Sequence, residues 1–215
     1  MIDSTRGAGY RGGVEHLRSF EEMYAAAGDD LATVPWANLK PFPLLVEWLG
    51  GDGAGPGATA LVIGCGYGDD AEELARRGFA VSAFDLSPTA IGRARGRFPE
   101  SQVDYRVADL FDLPAEWSGR FDLVVEIRTL QSLPIEVRRR GAAAIAATLA
   151  PGGRLWLFAL GRETHEPGET RPWPVVPDEL AELERAGLTW ESRREDLLDA
   201  DLYDVIGVLR RPPAG

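Results

Sequence analysis

The sequence predicts an α/β fold: a doubly wound, seven-stranded, mostly parallel sheet preceded by an N-terminal helical extension. Three observations predict it. Between residues 60 and 160, short apolar runs alternate with segments of helical periodicity, the pattern of successive βα units. The stretch Ala60–Gly68, ALVIGCGYG, sets three glycines at alternate positions directly after an apolar run. The chain then closes with two further runs, Leu188 to Arg193 and Tyr203 to Leu209, that read as a terminal hairpin after the last helix.

Size and composition bound the reading. The chain has 215 residues, of which 45% are apolar, enough for one α/β domain with a sizeable core. Acidic residues outnumber basic ones by 34 to 23, giving a net charge of −11. This counts against a general nucleic-acid binder, which needs a basic face. One cysteine, Cys65, excludes an intramolecular disulfide framework. It reads as a small turn-packing residue rather than a nucleophile. No signal peptide or membrane-length apolar run is found, so the expectation is a cytoplasmic protein without a membrane partner.

The elements follow in order. Residues 1–58 are expected to form the helical extension, and 59–215 the ligand-binding domain. Val14 to Ala27 carries helical spacing, Val34-Pro35-Trp36 interrupts it, and Leu39 to Leu49 reads as a second helix. Residues 50–57, nearly all Gly, Ala, Pro and Asp, form a connector. Ala60 to Ile63 is the first strand. Asp70 and Glu73 make an Asp-x-x-Glu capping pattern for the next helix, which stops at Gly78. Phe79 to Phe84 is a strand ending at Asp85. Ser87-Pro88 caps a helix over Thr89 to Arg97. Val103 to Val107 and Phe121 to Ile127 are strands, Pro134 to Leu149 a helix, and Arg154 to Leu160 a strand after the Pro151-Gly152-Gly153 turn. A long loop from Gly161 to Pro177 leads to a short helix over Asp178 to Ala186.

The glycine spacing narrows the ligand. A strand, a glycine turn and a helix N-terminus form a nucleotide-type binding element. A dinucleotide fingerprint is G-x-G-x-x-G. Here the third glycine, Gly68, comes one residue early, and Asp69 occupies the place of glycine, where it would repel a pyrophosphate. No G-x-x-x-x-G-K-[ST] string is present. The hydrophobic run followed by G-x-G-x-G resembles the first motif of the class I methyltransferases that use S-adenosylmethionine (SAM), a Rossmann-like family. The resemblance runs from Ala60 through Gly153. Val34-Pro35-Trp36 is also similar to the N-terminal segment of thiopurine-methyltransferase-like proteins.

The resemblance implies a cofactor site. Gly64, Cys65, Gly66 and Gly68 would form the turn that approaches SAM or its product, S-adenosylhomocysteine (SAH). Asp85, about twenty residues past the turn, would accept hydrogen bonds from the ribose hydroxyls, with Leu86 beside it. Asp109 would accept from the adenine amino group, and Leu110 and Phe111 would wall the ring. Asp112 is a second candidate there. Phe121 to Glu126 resembles the family's fourth motif, with Asp122 structural and Glu126 at the strand end facing the crevice. The Asn/Asp-Pro-Pro-aromatic string of amino-directed nucleic-acid methyltransferases is absent, which favours a small-molecule acceptor. No metal is implied.

Methyl transfer asks mainly for alignment and a water-poor site. His165 and Glu126 are the candidate catalytic bases, ahead of Glu166 and Asp112, and none has a diagnostic partner. A solvent-exposed loop residue is the competing reading of His165. Tyr24, Trp36, Arg128 and Trp173 are expected to line the acceptor pocket, with the long loop and the N-terminal helices closing over the cofactor. Two other functions compete: a SAM-binding protein without turnover and an NAD-type oxidoreductase. The misplaced third glycine counts against the second.

Overall fold

The computed structural model describes residues 11–51, 55–166 and 173–215. The glycine-rich start of the chain, part of the connector and the middle of the long loop therefore lie outside the described residues. Seven strands form one sheet: β1 (Thr59–Ile63), β2 (Ala80–Asp85), β3 (Asp104–Val107), β4 (Phe121–Ile127), β5 (Leu149–Arg162), β6 (Thr189–Leu197) and β7 (Leu202–Arg210). Their spatial order is β3-β2-β1-β4-β5-β7-β6. Strands β1 to β5 pair in parallel, and β7 runs antiparallel to both β5 and β6. The expected doubly wound sheet with its terminal hairpin is thus what the chain forms. Strand order reverses between β1 and β4, and in such sheets the ligand crevice lies at the carboxyl ends beside that switch point.

Among the described residues there are six α-helices: α1 (Arg11–Ala26), which packs on α4, and α2 (Pro43–Gly50), α3 (Asp69–Arg76), α4 (Pro88–Arg97), α5 (Ile135–Thr148) and α6 (Pro177–Arg185), which cover the two faces of the sheet. Successive side chains of a strand point to opposite faces. Leu61 and Ile63 pack with Val124, Leu157 and the α5–α6 residues Ile145, Leu180 and Leu183. Ala60 and Val62 pack with Val125, Trp156 and residues of α2, α3 and α4, among them Leu45, Leu74 and Ile91. Cover on both sides explains why the central strands read as continuous apolar runs rather than alternating ones.

Several boundaries differ from the sequence reading. Helix α2 begins at Pro43, not Leu39. Pro43 is at its first position, and Leu39 has φ 52°, outside helical geometry. Strand β5 begins at Leu149 and includes the stretch read as a turn. The register with β4 shifts between Phe121 and Leu123, and a Cβ on Gly153 would lie 2.6 Å from the Phe121 carbonyl oxygen. Glycine there lets the two backbones approach closely. Gly161 and Arg162 also belong to β5, and Val175 pairs with Gly161 as a parallel bridge. Strand β6 runs on to Leu197 as an edge strand with almost every residue exposed, and its Glu-Ser-Arg-Arg-Glu-Asp run is dense in charge, one of the ways proteins block edge pairing.

The capping pattern is corrected too. The N-cap of α3 is Gly68, with φ 90°, and neither Asp70 nor Glu73 closes a capping box. Glu73 instead accepts from Arg76 and Arg77. Asp70 Oδ1 accepts from the Phe42 amide at 2.7 Å, which ties the start of α2 to α3. Burial pushes the Asp70 carboxyl up to about 6.

Candidate functional site

The site is assembled where β1, β2, β3 and β4 end. Gly64, Gly66 and Gly68 all have positive φ, of 61°, 51° and 90°. Each is hemmed in by a different part of the protein. A Cβ on Gly64 would lie 2.5 Å from Thr129 Oγ1, and one on Gly66 would lie 3.0 Å from the Tyr24 hydroxyl. One on Gly68 would collide with the Tyr105 hydroxyl. The need for glycine is therefore conformational and steric at once. The Cys65 amide donates to the Phe84 carbonyl at 2.9 Å, stitching the turn to β2. Burial raises the Cys65 thiol well above its ordinary value, which keeps it an unreactive packing group.

Asp85 locks the turn. Its Oδ2 accepts from the Gly66 amide and its Oδ1 from the Ser87 amide, both at 2.9 Å. It is 8% exposed, and burial raises its pKa despite those donors. A carboxylate oxygen has two lone pairs, so each still has one to offer a ligand hydroxyl. Leu86 beside it is partly buried. The Asp85 carbonyl accepts from the Ala108 amide, which brings the end of β3 alongside. Asp109 folds back on its own turn, with Oδ1 accepting from the Phe111 amide at 2.9 Å. Leu110 is buried in the core and Asp112 is exposed. Val107, at the carboxyl end of β3, is 50% exposed. It leaves apolar surface open next to Asp85 and Asp109, as a purine ring would require.

Asp69, read from sequence as a charge facing the ligand, is instead held by Arg97. The two guanidinium nitrogens reach its carboxylate at 2.7 Å each. The same arginine donates to the Tyr67 carbonyl at 2.8 Å. The acid is neutralised within the turn.

Glu126 does not face the crevice. It is 0% exposed and lies beneath the turn after β4. Its Oε1 accepts from the Thr129 and Leu130 amides, while Oε2 has no hydrogen-bond partner among the described residues. Val124 packs on the α5–α6 side, and residue 126 has the same parity. Burial pushes the Glu126 carboxyl up to about 7. Thr129 Oγ1 then donates to the Ile63 carbonyl at 3.3 Å, joining this turn to the glycine turn. Gln131 is also buried, and its side-chain oxygen accepts from the Leu160 amide at 2.6 Å.

Tyr24 lies against the glycine turn, and Trp36 packs on Tyr24. The Trp36 indole donates to the Tyr24 hydroxyl at 2.8 Å, and Tyr24 stacks edge-on against Tyr67. Burial, then the nearby Asp85 charge, holds the Tyr24 phenol protonated. One residue with a part here carried no sequence signal. Glu21 accepts from Thr89 Oγ1 and from the Ser87 hydroxyl, clamping α1 onto the start of α4.

His165 and Trp173 belong to a second cluster. His165 Nε2 lies 3.1 Å from Glu179 Oε1. Glu179 also pairs with Arg138, an arginine that is 1% exposed. Arg138 donates in addition to the carbonyls of Gln131, Leu133, Trp173 and Pro174. The end of the long loop is thereby tied to α5 and to the turn after β4. A separate groove of about 280 Å³, bordered by Trp48, Trp156 and Val208, shares no residue with these turns. Among the described residues, no helix is long and apolar enough to cross a membrane.

Comparisons with known proteins agree with this geometry. A family model described as a methyltransferase domain matches residues 60–153. The ubiquinone biosynthesis O-methyltransferase of Xanthomonas campestris pv. campestris (strain B100) is 40% identical over 124 residues, covering 56% of this chain and 50% of that protein. Its namesake in Xanthomonas euvesicatoria pv. vesicatoria (strain 85-10) is 43% identical over 108 residues, 49% of this chain and 44% of that one. The chain spans about half the length of the curated relatives it matches. Among solved structures, the N-methyltransferase NodS from Bradyrhizobium japonicum WM9, in complex with SAH, superposes with a TM-score of 0.70. The identity is 24%, over 92% of this chain and 98% of that one. The Burkholderia thailandensis 1,6-didemethyltoxoflavin-N1-methyltransferase gives a TM-score of 0.70 at 22% identity, over 98% and 93% of the two chains. With its glycine turn, its acid at the end of β2 and its antiparallel β7, the chain has the Rossmann-like fold of its solved neighbours, and its residues 60–153 are similar to a methyltransferase domain.

Proposed function

We propose that the protein moves a methyl group from SAM to a heteroatom (O, N or S) of a small-molecule acceptor. The observation that carries this reading is Asp85, fixed by the Gly66 and Ser87 amides at the edge of the glycine turn with acceptor capacity to spare. When bound, SAM supplies an already activated methyl on a sulfonium. Asp85 would hold the ribose, Val107 and Asp109 would flank the adenine, and the turn from Gly64 to Gly68 would take the amino-acid end. Tyr24 and Trp36 would exclude water over the turn. The O-methyltransferase names of the curated relatives support oxygen as the acceptor atom.

Under this reading Glu126 shapes the crevice rather than moving a proton. It is out of solvent and holds the 129–130 turn against Gly64. His165 is turned to Glu179 and joins the start of the long loop to α6. Chemistry then rests on alignment, sufficient for an acceptor that ionises on its own. Among the described residues none is a poised base, which also favours a second reading, a SAM-binding protein without turnover. A neighbour of the same fold, the [4+2]-cyclase SpnF (TM-score 0.65, 18% identity), is named for different chemistry. Calorimetry with SAH and with NAD tests the binding half, and tight NAD binding with none of SAH would overturn it. Label transfer from SAM to a panel of phenols, amines and thiols tests turnover. Tight SAM binding with no transfer to any of them would favour the second reading.

A further inference from the structure

Arg128 follows β4 at the carboxyl edge, and its backbone is left-handed, with φ 60°. A bulky side chain there is strained, and such strain persists only where the surroundings over-determine it. They do so here. The Arg128 amide donates to the Phe158 carbonyl at 2.8 Å, and its carbonyl accepts from the Ser132 hydroxyl at 2.8 Å. The result places the guanidinium over the Phe158 ring, 5.1 Å from its centroid. Phe42 packs against that ring with centroids 4.5 Å apart, so the platform is itself fixed.

The cation is held in place but not consumed. Its side chain is 48% exposed. The nearest carboxylate, Asp204 Oδ1, is 3.9 Å from one nitrogen, beyond hydrogen-bond length. Among the described residues, none accepts a hydrogen bond from this guanidinium. Most other arginines at this end of the sheet are spent: Arg97 on Asp69, Arg138 on Glu179 and four carbonyls, Arg162 on Asp201 and Glu166. A rigid planar fork of open donors, whose charge Asp204 offsets only from 3.9 Å, is suited to a carboxylate.

We infer that Arg128 selects an acceptor that carries a carboxylate, gripping it at the ends of β4 and β5 while the transferring atom faces the glycine turn. This rests on the methyltransferase reading and adds the substrate's chemical class to it. The probes are benzoate and phenylacetate, each compared with its uncharged amide, titrated into the full chain with and without SAH. Calorimetry and the Arg128 Nε–H resonance are the readouts. Both carboxylates should bind at least about tenfold more tightly than their amides and shift that resonance. Arg128→Gln should abolish the preference while leaving SAH affinity unchanged, and Arg128→Lys should restore part of it. Equal binding of acids and amides, or a preference that survives Arg128→Gln, would overturn the inference. Failure of SAH to bind the wild type strikes instead at the methyltransferase reading. The carboxylate comparison without SAH keeps the two results apart.

Discussion

Replacing Glu126 by glutamine should stabilise the protein above neutral pH. The Glu126 carboxyl is raised by burial from an ordinary value of 4.5 to about 7. The sign follows from linkage. A carboxyl with a raised folded-state pKa favours the fold fully below pH 4.5, where folded and unfolded chains are both protonated. That contribution is lost as pH rises through about 7, because ionisation in the fold leaves an uncompensated buried charge. At about 1.4 kcal/mol per pH unit of displacement, the loss comes to about 3 kcal/mol. Glutamine keeps an oxygen for the Thr129 and Leu130 amides and carries no charge. The stability difference, Glu126→Gln minus wild type, should therefore rise by about 3 kcal/mol between pH 4.5 and pH 8. Asp70, raised to about 6, is common to both proteins and cancels. Urea denaturation followed by tryptophan fluorescence reads this directly, since Trp117 and Trp156 are fully buried. A difference that stays flat, or that falls with pH, would refute the argument from burial.

Three further outcomes are expected. Asp85→Ala should weaken SAH binding at least about tenfold by calorimetry, since a hydrogen bond to a charged acceptor is worth about 1.5–3 kcal/mol; unchanged affinity in a folded variant would remove the ribose assignment. Arg138→Ala should cost about 3–5 kcal/mol of stability by leaving Glu179 buried without its arginine and four carbonyls without their donor. In the background of that variant, Glu179→Ala should cost clearly less than it does alone, a coupling that a double-mutant cycle measures. Gly66→Ala should lower stability by about 1–2 kcal/mol for its left-handed backbone and weaken SAH binding as the new methyl presses on Tyr24. An alanine variant matching wild type in both respects would show that the turn has slack.

The sheet was legible because its signals are local. An apolar run, three glycines and an acid about twenty residues on needed no knowledge of the rest of the chain. The terminal hairpin likewise came from two alternating runs. The errors came from partners distant in sequence. Asp69 reads as a free negative charge until Arg97, 28 residues later, turns out to hold it. Asp70 reads as a cap, but its partner is the Phe42 amide, 28 residues earlier. Glu126 lies at the strand end the sequence indicates but points to the opposite side from the crevice. In a strand covered on both faces, parity says that residues 124 and 126 point together but not toward which layer. The start of β5 is hidden in the sequence because Pro-Gly-Gly is turn chemistry nearly everywhere, yet here it lies inside a pairing with a register shift.

The contact between Thr129 and Gly64 also limits how this site could be redesigned. One turn is proposed to face the cofactor, and the other is proposed to carry Arg128 toward the acceptor. They meet where no extra methyl group fits, with Thr129 donating to the Ile63 carbonyl above and Glu126 gripping the threonine amide below. An engineer wishing to change the acceptor would therefore have more freedom past Ser132 than between residues 126 and 130. A backbone shift of even a few tenths of an ångström in that short span would reach the glycines, so selectivity altered by moving that backbone, rather than by exchanging the exposed Arg128 side chain, would come with altered cofactor affinity.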